Sequence, residues 1–392
     1  AAEGKTVKLL DHIEDAETIE VAGTDITLDL NGKTISGSVR SSGLICIAEG
    51  ADVNITDNGS EGQKGSIINN YAGRSAYTVY IEAGAKVTLD GGIAITDAAG
   101  TSASCGAVYL DSDNNTPELI VKDAILTSSE GYAIRLGSDM FSSNVIIEGG
   151  EFRVMGKEPD EGVIYNARSA FVTIKGGVFH NWIWDSGSLN DHNDCLAEGY
   201  GFTLDENKVV TVGNSAPADY IASVAAGGRT FYLTSGDLYD LFAYIALDSN
   251  KNPVDVEVNI TGDVTVTFPA NSGYGVQKEE DIPTLTLTVA DGASLTGSFP
   301  LYVADVVLMG GNVEDSTFVS ADADGYTVTK DGNTWQGRLN DSSVALLVTH
   351  ADGTTARFKE DDVALAFNNA NANPGSTITL FKDVAHGGVT VA

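Results

Sequence analysis

The chain has 392 residues, 44 of them glycine and only 8 proline, and its 55 acidic against 22 basic residues give a formal charge of −33. That sign repels phosphate backbones and anionic headgroups, so nucleic acid and acidic membranes are poor partners and cations are the natural small ones. No run of about 18 apolar residues is present to cross a bilayer, which argues against a transmembrane segment.

The length is two to three times that of a common domain, so more than one structural unit is expected. The start, Ala1-Ala2-Glu3-Gly4, carries no charged-then-apolar leader and would suit a chain whose signal peptide has been removed. A short apolar segment, Thr6-Val7-Lys8-Leu9-Leu10-Asp11, opens the patterned region. After it, one strand pattern returns six times: Ile26-Thr27-Leu28-Asp29, Val53-Asn54-Ile55-Thr56, Val87-Thr88-Leu89-Asp90, Leu119-Ile120-Val121-Lys122, Val145-Ile146-Ile147-Glu148 and Val172-Thr173-Ile174-Lys175. Their first residues are 27, 34, 32, 26 and 27 positions apart, within the range of solenoid repeats.

In each copy positions one and three are apolar and the others mostly polar, so one face turns inward. Gly91-Gly92, Gly149-Gly150 and Gly176-Gly177 follow several copies and mark a corner, because glycine without a Cβ tolerates positive φ. A second strand precedes the first in each coil, as in Leu44-Ile45-Cys46-Ile47, Thr78-Val79-Tyr80-Ile81, Ala107-Val108-Tyr109-Leu110, Ala133-Ile134-Arg135-Leu136 and Val163-Ile164-Tyr165. A coil of roughly 27 residues cannot bury its own apolar face, but stacking coils about 4.8 Å apart pairs their backbones and closes a shared interior. The fold class expected is all-β, a right-handed parallel β-helix (solenoid) in tandem modules.

The array stops after Val172, and Cys195–Tyr200 with Asn207–Val212 read as its cap. Further along, Val256-Glu257-Val258, Leu285-Thr286-Leu287-Thr288 and Val306-Val307-Leu308 are rung-like, and Gly325-Tyr326 repeats the Gly199-Tyr200 ending. Thr377-Ile378-Thr379-Leu380 resembles the opening Thr6 segment, and Arg229-Thr230-Phe231-Tyr232-Leu233 is a weaker third copy. Modules are therefore placed at 1–214, 215–340 and 341–392, the last being the opening of a third. Helical periodicity is confined to 235–245 and 360–369.

The pattern Ile26 to Ile35, the Gly-Gly turns and the Gly-Tyr endings resemble the pectate-lyase-like β-helix modules of secreted or wall-attached bacterial surface proteins, often described as adhesin-like. The resemblance implies an extracellular location and a non-enzymatic scaffold with a glycan or host-surface ligand. It also admits a polysaccharide lyase or glycoside hydrolase, because this fold carries both. Catalysis on it needs a calcium cluster beside a basic residue or two carboxylates across the bond. The column after the repeated strand, Asp29, Thr56, Asp90, Lys122, Glu148 and Lys175, reads instead as a solvated charge ladder, and no catalytic residue is assigned.

The richest local cluster runs from Phe179 to Asp194. Trp182, Trp184, Asp185, Asp191 and His192 form the candidate glycan site, since a sugar stacks its apolar ring face on indole while its hydroxyls seek hydrogen bonds. The competing reading makes Trp182 and Trp184 a plug over the last coil. Asp11, Asp57, Asp97, Asp111 and Asp113 lie near turns and could take calcium, but no twelve-residue calcium loop is present, so the expectation is no cofactor. Cys46, Cys105 and Cys195 are too few and too far apart for a disulfide framework and are read as buried small hydrophobes.

Overall fold

A computed structural model of the chain describes residues 4–60, 64–111, 115–137, 144–157, 162–165, 172–184, 195–245, 256–267, 285–290, 293–298, 305–309, 312–314, 326–331, 334–339, 344–360 and 363–382. It is nearly all β, with parallel sheets stacked as a solenoid of about seven turns. Contacts divide it into two compact units, Ala1–Tyr200 with Lys208–Gly213, and Gly201–Asn207 with Asn214–Ala392.

In the first unit every coil contributes one strand to each of three faces. The first face is the repeated strand, in the order Thr6–Lys8, Ile26–Asp29, Asp52–Thr56, Lys86–Leu89, Glu118–Val121, Asn144–Ile147 and Val172–Ile174, all parallel. The sequence pattern counts six copies; the structure adds a seventh, because Val7 pairs with Leu28 and Lys8 with Asp29, making the opening segment a rung in its own right.

The second face is a separate strand that the sequence pattern does not distinguish from the corner before it. It runs through Thr34–Gly37, Ser66–Asn69, Ile93–Asp97, Ala124–Ser128 and Glu151–Val154, each beginning directly after the first-face corner. The corner is as tight as the glycines imply. Gly91 has φ 74°, and a Cβ there would lie 2.8 Å from the Asp57 backbone of the coil below, closer than real side chains approach. The third face is the strand read as preceding each repeat, from Ile19–Val21 and Ile45–Ile47 to Gly162–Tyr165 and Trp182–Trp184.

Register puts like residues over like. Val53, Val87, Leu119 and Val145 follow one another on the first face, as do Val79, Val108, Ile134 and Ile164 on the third, and all are buried. At the second corner the stacked residues are polar. Asn69, Asp97 and Ser128 are in register and fully buried, and their side chains satisfy backbone groups that a turn would otherwise strand. Asn69 Nδ2 donates to the carbonyls of Val39 and Tyr77, and Ser128 Oγ donates to Asp97 Oδ2 at 2.9 Å. The stack ends where Val210–Gly213 lies antiparallel on Gly177–Phe179 and Leu196 bridges Ile174. A reversed strand stops the parallel ladder.

The second unit repeats the theme with rungs Val256–Ile260, Leu285–Ala290 and Asp305–Met309 on one face and Asp263–Thr267, Ser294–Ser298 and Asn312–Glu314 on the next, all parallel. Its ending is of the same kind, with Thr334–Leu339 antiparallel on Asn312–Glu314. Helices α1 (Leu238–Ile245) and α2 (Val363–Ala372) fall where helical periodicity was found. One assignment is corrected. Arg229–Leu233 is not a third copy of the opening rung but one arm of a hairpin, antiparallel to Ala222–Ala226 and parallel to Gly201–Leu204 on its other side; the rung equivalent to Thr6–Lys8 is Val256–Ile260.

Candidate functional site

Of the residues singled out in the sequence, Trp182 and Trp184 lie on one strand, the last of the third face, in register with Gly162 and Ile164. Ile183 between them is fully buried. Asp185, Asp191 and His192 lie outside the described residues, as does Asp113. Beside the Trp strand, His180 is held on both ring nitrogens, with Arg153 Nη2 2.9 Å from Nδ1 and Glu151 Oε1 2.7 Å from Nε2. Guanidinium can only donate, so Nδ1 accepts and the ring proton sits on Nε2, facing Glu151.

The same third face carries an outward column that the strand pattern did not reveal. Cys46, Tyr80, Tyr109, Arg135 and Tyr165 occupy one position of successive coils. Their neighbours point inward, so the alternation of the strand leaves this position facing out. Tyr77 stacks on Tyr109 at 4.4 Å between ring centres, and Tyr80 on Tyr109 at 5.1 Å. Higher up, Tyr132 and Tyr165 meet at 5.0 Å, the Arg135 guanidinium lies 4.5 Å over the Tyr165 ring, and Lys157 Nζ lies 3.4 Å over Tyr132. Such ring and cation contacts contribute about 0.5–1.5 kcal/mol each beyond area burial.

Electrostatics keep the phenols of Tyr77 and Tyr80 and the Cys46 thiol of this face protonated. Burial raises the Tyr77 phenol above its usual range against the opposing pull of Arg135 and Ser75. Burial, reinforced by the hydrogen bond from its hydroxyl to Asp111, raises Tyr80 further. The Cys46 thiol is pushed to about 12 by burial and by the nearby Glu82 and Glu20 carboxylates, and it donates to Glu82 Oε1 at 3.5 Å. All three groups keep their protons at neutral pH. Neither thiolate nor phenolate is available as a nucleophile.

The aspartates raised as calcium candidates have other employment. Asp57 accepts from the backbone N–H groups of Gly32, Gly59 and Gly65 at 2.6, 3.2 and 2.7 Å, locking a corner. Asp97 is fully buried, accepting from Ser128 and from Gly100 N, and burial raises its pKa despite those bonds. Asp11 caps the backbone of His12, and Asp111 takes the Tyr80 hydroxyl. Among the described residues no three His, Cys, Asp or Glu side chains gather into a set that could hold a metal ion.

Glu148 and Lys175 sit 3.7 Å apart with both side chains about two-fifths exposed, a pair whose contribution solvent keeps small. Cys46, Cys105 and Cys195 are all buried and unbridged. No protein-family model matches the chain, and comparison with curated proteins and with solved structures likewise finds no match.

Proposed function

We propose that the protein is a non-enzymatic extracellular scaffold, adhesin-like in design, that presents a glycan-binding strip on the third face of its solenoid. One observation supports this reading above the others: Tyr80, Tyr109, Arg135 and Tyr165 stand in one outward column of a single parallel sheet. The column from Tyr80 to Tyr165 advances three coils, roughly 14 Å at the spacing of paired strands. That length suits two or three units of an extended sugar chain, which would meet phenol hydroxyls, a guanidinium and apolar ring edges in turn. The kinship to pectate-lyase-like surface modules belongs to this reading, as does secretion.

Binding of the intact protein to a panel of plant, mucin and microbial glycans tests it. Tyr109→Ala with Arg135→Ala should weaken binding at least tenfold while the thermal midpoint stays within a few degrees. Undiminished binding in this double variant contradicts the strip. Release of reducing or unsaturated ends from the same glycans, with or without calcium, would replace the scaffold by a polysaccharide-degrading enzyme.

A further inference from the structure

The open end of the first coil differs from every coil above it. Val7 is in register with Leu28 and Ile13 with Ile35, so both occupy inward positions. Leu28 and Ile35 are 6% and 1% exposed, whereas Val7 and Ile13 are 45% and 36% exposed, and Leu10 at the corner is 84% exposed. The second unit solves the same problem within its own chain. There the first rung strand, Val256–Ile260, is covered on one side by Leu285–Ala290 and on the other by the antiparallel strand Ala222–Ala226, with Val224 on Val258 and Ala222 on Ile260.

The hairpin strand Arg229–Leu233 and helix α1 complete that cover. The helix rests on Asp263–Thr267, the second-face strand of the same rung, burying Leu238, Leu241 and Phe242, and Asp237 Oδ1 accepts from Thr267 N at 3.0 Å. A second strand–strand–helix unit has the same topology. Leu346–Thr349 pairs antiparallel with both Thr355–Phe358 and Thr377–Leu380, and α2 packs on all three. The strand that this unit pairs with, Thr377-Ile378-Thr379-Leu380, is the sequence counterpart of Thr6-Val7-Lys8-Leu9; no described rung follows it, and Leu380 stays 57% exposed.

We propose that the open end of the first coil is a docking surface for a strand–strand–helix unit of this kind. Its inner strand adds antiparallel to the free edge of Thr6–Lys8, over Val7, and its helix lies over Ile13–Ala16. The positions exposed in the first coil are those that strand and helix cover in the second unit. Among the described residues no strand pairs with the outer edge of Thr6–Lys8, and such an edge beside uncovered aliphatic side chains is a template for strand addition, which a matched partner keeps from pairing indiscriminately.

The test places a second copy of residues 344–376 directly ahead of Thr6 in the otherwise full chain, so that Ser376 leads into Thr6 as it leads into Thr377. A Gly/Ser leader of equal length is the control. Hydrogen exchange at Thr6–Lys8 and Ile13–Ala16 should slow at least about tenfold with the graft and not with the leader, while Leu119–Val121 is unchanged in both. Val7→Asp in the grafted chain should return the exchange to the control rate. Equal exchange with graft and leader overturns the proposal. So does protection of the ungrafted chain that grows with concentration alongside a dimer mass, since a second copy would then be the occupant. If the graft disturbs Leu119–Val121, residues 215–255 joined to Thr6 in the same way give the second test, and failure of both overturns it.

Discussion

The first coil and the middle coils are built from the same residue types at the same register, yet only the middle ones have a buried interior. Val53, Val87, Leu119 and Val145 are each shielded by a neighbour above and below, while Val7, one step from Leu28 on the same face, is half in water. The difference teaches that a coil has no core of its own; its burial is a property of the stack. Stability should then depend on a residue's place along the axis as much as on its identity.

The largest effect that could break this comparison lies in the upper coils. Phe152 and Phe179 stack at 4.6 Å with 10° between their planes, both fully buried. Phe152→Ala should cost about 3–5 kcal/mol in urea unfolding. Val7→Ala, removing apolar carbons from an inward position of the open first coil, should cost well under about 1 kcal/mol. Similar costs at both sites would refute a stack-dependent core.

Next in size is a contrast between two buried aspartates. Asp29 is 4% exposed, and although burial alone would raise its pKa, the Asn58 and Asn31 N–H groups and Lys8 at 3.8 Å hold it below the usual value. Its stabilisation is present above the unfolded carboxyl pKa and fades as pH falls through the lower folded value. Asp29→Asn should cost about 1–3 kcal/mol at neutral pH, and the loss should vanish in strong acid.

Asp97 carries the opposite sign. Its raised pKa means that its contribution is fullest below the unfolded value and is lost as pH rises through the folded one. Asp97→Asn, which keeps an acceptor for Gly100 N, should therefore gain stability relative to the parent as pH climbs toward neutrality. Urea midpoints of both variants from pH 2 to 7 read the two signs; parallel curves would contradict the assignment.

The smallest effect is chemical rather than energetic. With Cys46, Cys105 and Cys195 buried and the Cys46 thiol at about 12, a thiol reagent at pH 8 should label the native chain slowly and all three sites only in denaturant. Prompt labelling of Cys46 in the folded protein would show that the third face is more open than its column implies.

What was legible in the sequence follows from what periodicity can carry. The first and third faces were readable because their inward Val, Ile and Leu alternate with outward residues at every turn. The second face was not, since Ile93–Asp97 and Ala124–Ser128 start immediately after a short glycine-bearing or charged corner and read as its continuation. The opening rung was seen as a motif rather than a coil because its following strands, Ile13–Ala16 and Ile19–Val21, are short and acidic. Arg229–Leu233 misled because alternation does not distinguish a parallel rung from an antiparallel hairpin strand.

The tyrosine column was hidden for a different reason. Tyr80, Tyr109, Arg135 and Tyr165 each look like one outward residue in an apolar strand, and become a surface only when register sets them one above another. The Trp cluster was legible by composition alone, and the structure adds that its strand shares the sheet with that column.

Removing one whole coil tests the stacked account most directly. Deleting residues 118–143 joins Pro117 to Asn144 and brings Lys86–Leu89 against Asn144–Ile147, whose residues match Glu118–Val121 position for position. The shortened chain should keep its β circular-dichroism signal per residue and a cooperative thermal transition, with a lower midpoint, because each coil needs only some neighbour of the right register. A chain that loses its β signal or aggregates on this deletion would contradict the claim that the coils are interchangeable layers of one ladder.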